Sequence, residues 1–130
     1  MDEFIILYYK QHMHEVSLMT NVLELVAQEM EKHKVTKLQS ITVRYGVLSN
    51  IVEDSLRFAF DVLTKDSEFA GAKLNLVKEE LTLSCRFCSH TFTTTEKNYF
   101  FLPCPNCGEE GCFELVKGEG IFLDRIEAEE

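Results

Sequence analysis

The sequence has no apolar stretch near the length of a membrane-spanning helix, which needs about 20 residues. Its longest apolar run, Phe4–Tyr9, follows Asp2 and Glu3 instead of a basic segment, and no small-residue cleavage site comes after it. The run therefore does not have the pattern of a signal peptide. We expect a cytoplasmic protein that does not enter a membrane.

Basic residues are also scarce, since 13 Lys and Arg stand against 22 Asp and Glu and give a net charge of −9. Proteins that bind nucleic acid or anionic membranes need basic surface to meet the phosphates. We therefore expect neither partner, whereas metal cations and basic protein surfaces suit this charge. The sequence also lacks a glycine-rich phosphate loop and a nucleophile–base pair, which argues against an enzyme.

The composition is that of a globular protein, with 130 residues, 45% of them hydrophobic and 27% charged. Apolar residues recur at helical spacing from Val16 to Met30, and again from Leu56 to Leu63. Strands are predicted at residues 40–47, 72–83 and 121–128, the second with a bend or bulge between Leu76 and Val77 where its alternation switches face.

These elements predict an α+β fold in which two helices lie on a small three-stranded mixed sheet. The helix between the first two strands permits them to be parallel, and we expect the third strand to pair with both. A four-cysteine zinc ribbon is inserted before the third strand. The predicted units are an N-terminal extension at 1–12, an α/β domain at 13–83 plus 119–130, and the ribbon at 84–118.

Four of the five cysteines form two CxxC pairs, Cys85 with Cys88 and Cys104 with Cys107. The spacing predicts a four-thiolate zinc site, which is structural because no coordination position is left for water or substrate. Two disulfides, a redox-active CxxC and an iron–sulfur cluster are the alternatives. Cys112 lies outside the pattern and is interpreted as an idle thiol.

The histidines offer a second metal site. His12 and His14 flank Met13 just before the first predicted helix, and imidazole suits nickel, copper or zinc. If the chain began at Met13, its amine, the amide nitrogen of His14 and the His14 imidazole would form two fused chelate rings around square-planar Ni(II). On spacing alone the His-x-His pattern can equally be incidental. His90, two residues after Cys88, is interpreted as a group beside the zinc thiolates.

From Met13 onward the sequence resembles the HypA/HybF hydrogenase nickel-incorporation proteins. The matching motifs are Met13–Met19, Thr42–Ser49, Leu56–Phe60, Gly71–Leu74, the two CxxC pairs with Phe92, Pro105 and Gly108, and Gly118-x-Gly120 followed by Ile126-Glu127. The resemblance implies a metallochaperone that binds Ni(II) at Met13–Glu15 and passes it to the large subunit of [NiFe] hydrogenase. It also implies a nickel-maturation GTPase as partner, urease maturation proteins as further partners in some members, and structural zinc.

One departure from that family concerns the N-terminus. The family begins with Met-His-Glu, whereas twelve residues precede Met13 in this chain. We expect this extension to come from an upstream start or from cloning. If it is present, a peptide nitrogen replaces the Met13 amine, and His12 becomes a further candidate ligand beside His14, Met13 and the weaker Glu15. We expect a monomer or weak homodimer.

A zinc-ribbon module for protein interaction or nucleic-acid binding is the alternative function. It would need a basic stripe in the ribbon. Between Cys85 and Cys112 the charges are instead Arg86 and Lys97 against Glu96, Glu109 and Glu110. The charge balance therefore favours the nickel function.

Overall fold

The structure, a computed structural model, describes residues 15–130 and the backbone of Tyr8 and Tyr9. In chain order the elements are β1 (Tyr8–Tyr9), α1 (Glu15–Lys32), β2 (Lys37–Gly46), α2 (Glu53–Thr64), β3 (Lys73–Glu79), β4 (Leu81–Cys85), β5 (Thr91–Thr94), β6 (Phe113–Lys117) and β7 (Ile121–Glu129). Short 3-10 turns lie at Val47–Ser49 and Tyr99–Phe101. Within the described ranges, no helix is long and apolar enough to cross a membrane.

The larger sheet has four strands in the order β1-β7-β2-β3. Strands β2 and β3 are parallel, as the helix between them permits, and β7 is antiparallel to β2. The α+β class and the mixed sheet are confirmed. The predicted count of three strands is wrong, because Tyr8 and Tyr9 of the extension pair with Phe122 and Ile121. The last strand also pairs with β2 and β1, and not with β3.

The predicted strand at 72–83 is in fact two strands. Its first part, β3, pairs with β2 in unbroken register from Lys73 to Glu79, so the expected bulge between Leu76 and Val77 is wrong. After Glu80 the chain enters β4, which pairs with β5 and β6 in a second, three-stranded sheet. The transfer between sheets follows β3, since Leu74 belongs to the main core whereas Leu83 belongs to the core cluster of the second sheet.

The main core lies between the two helices and the larger sheet. Helix α1 buries one stripe and α2 another, as the helical spacing predicts. Its buried members include Leu18, Met19, Val22, Val26, Ile41, Val43, Leu56, Phe60, Ile121, Leu123 and Ile126. Val16, which continues the apolar periodicity of α1, is instead 54% exposed.

The second sheet has a much smaller core. Its buried members are Leu83, Cys85, Cys104 and Phe113, with a few half-buried residues around them. Two of these four residues are cysteines of the CxxC pairs. Apolar burial alone therefore gives this part of the chain little stability.

The two sheets meet at a close backbone contact. The amide of Gly46 donates to the carbonyl of Gly120 (3.0 Å), and the amide of Leu48 donates to that of Gly118 (2.8 Å). A Cβ atom at Gly46 would overlap the carbonyl group of Gly118, and Gly118 itself has φ +126°, which favours glycine. Side chains are thus excluded from this junction, and the small sheet is held against the end of β2.

Candidate metal centre

The two CxxC turns have the same backbone conformation. In the first, the amide of Ser89 donates to the carbonyl of Cys85; in the second, that of Gly108 donates to Cys104, both at 2.9 Å. Each turn is then closed by the first cysteine's amide, which donates to the carbonyl five residues on, that of His90 or Glu109. Both turns therefore point their paired sulfurs to one side.

Each turn ends on a residue with positive φ. Gly108 has φ +81°, where glycine pays no steric cost, but the equivalent residue of the first turn is Ser89 at φ +65°. A side chain in this conformation costs about 1–2 kcal/mol. Ser89 is held there by the turn itself, in which its amide donates to the carbonyl of Cys85.

All four sulfurs of Cys85, Cys88, Cys104 and Cys107 lie within 4.8 Å of one another. The Sγ atoms of Cys85 and Cys107 are 3.7 Å apart, and those of Cys88 and Cys104 are 3.6 Å apart. A tetrahedral zinc with Zn–S bonds of about 2.3 Å would set its sulfurs about 3.8 Å apart. The donor set and its spacing therefore fit one four-coordinate metal ion.

The same distances exclude the predicted alternative of two disulfides, whose S–S bond is about 2.05 Å. All five cysteines are free thiols. A redox pair would use the two sulfurs within one turn, whereas the short separations in this cluster join one turn to the other.

Backbone amides already support negative charge on the cluster. The amides of Asn106 and Cys107 lie 3.4 and 3.5 Å from the Cys104 sulfur. Hydrogen bonds from the Asn106 side chain and then from the His90 amide lower the pKa of the Cys88 thiol to about 6. Asn106 was not predicted from the sequence, although its place inside the second CxxC turn could have indicated it.

The last thiol is harder to ionise without a cation. The Glu109 amide lowers the pKa of Cys107, but desolvation and the sulfurs of the other three cysteines outweigh it and raise that pKa to about 12. Four thiolates at this spacing repel one another. A bound dication removes the repulsion, so the electrostatics of the cluster agree with its geometry in favouring a metal.

His90 and Cys112 contribute to this region through their backbones. The carbonyl of Cys112 accepts a hydrogen bond from the amide of Arg86 (2.8 Å), and its sulfur is not part of the four-sulfur cluster. The side chain of His90 is exposed and stacks on Phe92, with ring centroids 6.3 Å apart. A role for its imidazole beside the metal stays a prediction.

Of the predicted nickel-binding residues, only Glu15 lies within the described residues; His12, Met13 and His14 do not. Glu15 is the first residue of α1 and is half-buried. With Val16 it borders a cavity of about 570 Å³ whose other wall is Asp54, Ser55 and Phe58 of α2. Glu15, the last residue of the predicted nickel-binding set, thus lies where α1 begins and faces the first turns of α2.

A neighbouring carboxylate at this end is already engaged. The hydroxyl of Tyr45 donates to Glu53, the first residue of α2. Burial, followed by the hydrogen bond and charge of Glu53, raises the pKa of Tyr45 to about 12. Glu15 and Asp54, the two carboxylates that border the cavity, have no comparable hydrogen bond from a tyrosine among the described residues.

Within residues 15–130, the four cysteines form the one group of three or more potential ligands close enough for a metal. Cys85, Cys88, Cys104 and Cys107 were predicted to converge, and the structure brings them together. The nitrogen ligands predicted for nickel lie outside the described residues.

Comparison with known proteins agrees with this arrangement. A family model described as hydrogenase/urease nickel incorporation, metallochaperone, HypA, matches residues 13–128. The hydrogenase maturation factor HypA of Lawsonia intracellularis is 41% identical over 118 residues, which cover 90% of this chain and all of that protein. The same factor of Solidesulfovibrio magneticus is 40% identical over 117 residues, with the same coverage of both chains.

A solved structure shares the fold. The solution structure of the Ni metallochaperone HypA from Helicobacter pylori superposes with a TM-score of 0.59 at 23% sequence identity. The match covers 90% of this chain and 97% of that one.

Proposed function

Since the chain belongs to the HypA family of hydrogenase and urease nickel-incorporation metallochaperones, we propose that it binds Ni(II) through Met13–Glu15 and delivers it to the large subunit of [NiFe] hydrogenase. The observation that carries this proposal is the family match over residues 13–128. Membership confirms the prediction of a metallochaperone instead of an enzyme.

The metal of the four-sulfur cluster is proposed to be structural zinc. Four thiolates in tetrahedral arrangement are typical of structural Zn²⁺, and they leave no open position for a transferred ion. Metal analysis of the purified protein should give one zinc per chain, and Cys104→Ser should lose it. Cys112→Ser is the matched control, because Cys112 lies outside the cluster, and it should keep its zinc. Equal zinc in both variants would contradict the assignment.

Nickel is proposed to bind through nitrogen donors centred on His14. The donor set is the imidazole and amide nitrogens of His14, the nitrogen of Met13 and an oxygen or nitrogen of Glu15. Square-planar Ni(II) prefers such donors to the soft thiolates of the cysteine cluster. His14→Ala should weaken Ni(II) binding at least tenfold and remove the square-planar absorption band in a titration. His33→Ala is the control, since α1 has 18 residues and spans about 27 Å, which places His33 far from Glu15. Unchanged binding by His14→Ala would place the nickel site elsewhere.

The extension decides which nitrogen Met13 offers. A free α-amine has a pKa of about 7.7–8.0, while an amide is a far weaker acid. A chain that starts at Met13 should therefore bind Ni(II) more tightly near neutral pH than the 130-residue chain, in which His12 becomes the substitute ligand. Titrating both chains at one pH tests this; equal affinity and spectra would show that the amine is not a ligand.

A hydrogenase maturation role requires protein partners. We propose that these are a nickel-maturation GTPase and the hydrogenase large subunit, with urease maturation proteins as further partners of the same class. We place this exchange in the cytoplasm, where thiolate sites remain reduced. A monomer or weak homodimer would leave the nickel-binding end open to such partners.

A further inference from the structure

Helix α2 exposes large apolar side chains on its outer face. Phe58 is 68% exposed, and Val62, one helical turn further on, is 56% exposed. Both lie opposite the stripe of Leu56, Ala59 and Phe60 that α2 buries in the core. An exposed phenylalanine adds nothing to the core, whereas contiguous exposed apolar surface is typical of interaction sites.

One of these side chains, that of Phe58, lies beside the start of α1. Phe58 and Val16 border the same cavity of about 570 Å³, together with Glu15, Asp54 and Ser55. Val16 is the apolar residue of α1 that does not join the core. We call Val16, Phe58 and Val62 the helix-end patch. It begins one residue after Glu15, and so lies beside the segment proposed to carry nickel.

Three acidic side chains lie near the helix-end patch, whereas the adjacent Arg57 is turned to the carbonyl of Leu74 and Lys65 lies at the far end of α2. Glu15 and Asp54 border the cavity, and Asp61 lies on α2 between the positions of Phe58 and Val62. Among the described residues, none of these three carboxylates forms an ion pair. A partner therefore needs an apolar pocket for the phenyl ring and lysine or arginine residues around it.

We propose that the helix-end patch is the docking surface for the protein that receives the nickel, with Phe58 as its anchor. This inference rests on the proposed function and extends it from the metal ligands to the contact surface. In such a surface the buried aromatic side chain provides affinity, and the charged residues near it orient the partner. The contact would bring the receiving protein directly against Met13–Glu15, so that nickel need not pass through water.

The proposal is tested with purified, metal-free [NiFe] hydrogenase large subunit as the probe. Its affinity for the full chain is measured by surface plasmon resonance at low and high salt. Phe58→Ala should weaken binding at least tenfold. Asp54→Asn with Asp61→Asn should slow association and reduce its salt dependence, because these charges steer the encounter. Both variants should keep wild-type Ni(II) affinity and helix content.

Phe101→Ala is the matched control. Phe101 is an equally large side chain, 78% exposed, that lies in the small sheet region, and its removal should leave the affinity unchanged. If the wild-type chain binds the large subunit and Phe58→Ala binds it equally well, the patch is not the docking surface, but the proposed function stands. The patch would also be overturned if the wild-type chain were a dimer that Phe58→Ala converts to a monomer, while the affinity for the large subunit stayed the same. No binding by the wild-type chain would overturn both the proposed recipient and the patch.

Discussion

The two sheets of this protein are stabilised by different means. The larger sheet and its helices bury a continuous apolar core, whereas the core cluster beside the smaller sheet has four buried residues, two of them cysteines. Each fully buried aliphatic or aromatic side chain contributes about 1.5–3 kcal/mol, which is ample for the first region and too little for the second. Structural zinc contributes about 10–16 kcal/mol in small modules. We therefore expect one region to fold on apolar burial and the other to depend on a bound metal.

This difference suits a carrier with two metals. The proposed nickel segment joins α1, in the region whose fold does not need a metal. Nickel can then arrive and leave without unfolding its carrier. The proposed zinc ion, in contrast, would be part of the fold, and four thiolates would leave it no open coordination position through which to leave. We therefore expect the structural metal and the transferred metal to occupy separate sites.

Removal of zinc should have the largest effect. Chelation in the presence of a thiol-trapping reagent should abolish amide protection in β4, β5 and β6, because the metal replaces most of the ribbon core. Protection in α1, α2, β2 and β7 should persist. Hydrogen exchange followed by mass spectrometry resolves the two regions. Loss of protection in both at once would show that they form one cooperative unit.

A cavity in the larger core should destabilise the larger sheet and its helices and leave the zinc-binding region unaffected. Leu56 of α2 is fully buried, and Leu56→Ala should cost about 2–5 kcal/mol of unfolding free energy. Urea unfolding followed by helix content measures this loss, while zinc content should remain at one per chain. Ser55→Ala is the neighbouring control with an exposed side chain. Loss of zinc in Leu56→Ala under native conditions would contradict independent stabilisation.

The junction between the regions should respond more moderately. In Gly46→Ala the new methyl group would overlap the Gly118 carbonyl, and relieving such overpacking costs about 1–3 kcal/mol. Both regions should remain folded, with faster exchange at the amides of Gly46 and Leu48, which hydrogen-bond across the junction. Gly71→Ala tests the cost of positive φ alone, because no atom lies near its Cβ position. If Gly46→Ala matched the wild type, the sheets would not be locked at this point.

The smallest effect should come from the first CxxC turn. Ser89→Gly removes a side chain from positive φ and should stabilise the turn by about 1 kcal/mol. Competition with a chelator should show slightly tighter zinc binding, by about fivefold. Gly108→Ala, the equivalent position in the second turn, should weaken it. Weaker zinc binding by Ser89→Gly would mean that the serine hydroxyl has a role of its own.

Much of this arrangement can be predicted from the residues. The helical spacing of Leu56, Ala59 and Phe60 specifies α2, and the two CxxC pairs specify the cluster, because side-chain periodicity and ligand spacing are local properties. The break at Glu80 could not be predicted in this way. Both β3 and β4 favour extended backbone, and only the partners they meet in space assign them to different sheets.

The extension and the outward Phe58 illustrate the same limit. Tyr8 and Tyr9 form a strand only because the edge of β7 is available to them. Phe58 lies opposite the apolar stripe of its helix, so helical spacing predicts its exposure but not what would cover it. Contacts between distant segments decide both, and local sequence carries little information about them.

The separation of the two metals can be tested most directly by native mass spectrometry of the full chain after loading with Zn²⁺ and Ni²⁺. The wild type should carry one ion of each. Cys85→Ser should lose zinc and keep nickel, and His14→Ala should lose nickel and keep zinc. The proposed separation would be contradicted if either substitution removed both metals, or if nickel were lost in Cys85→Ser but not in His14→Ala. In those cases the structural and the transferred metal would share one site.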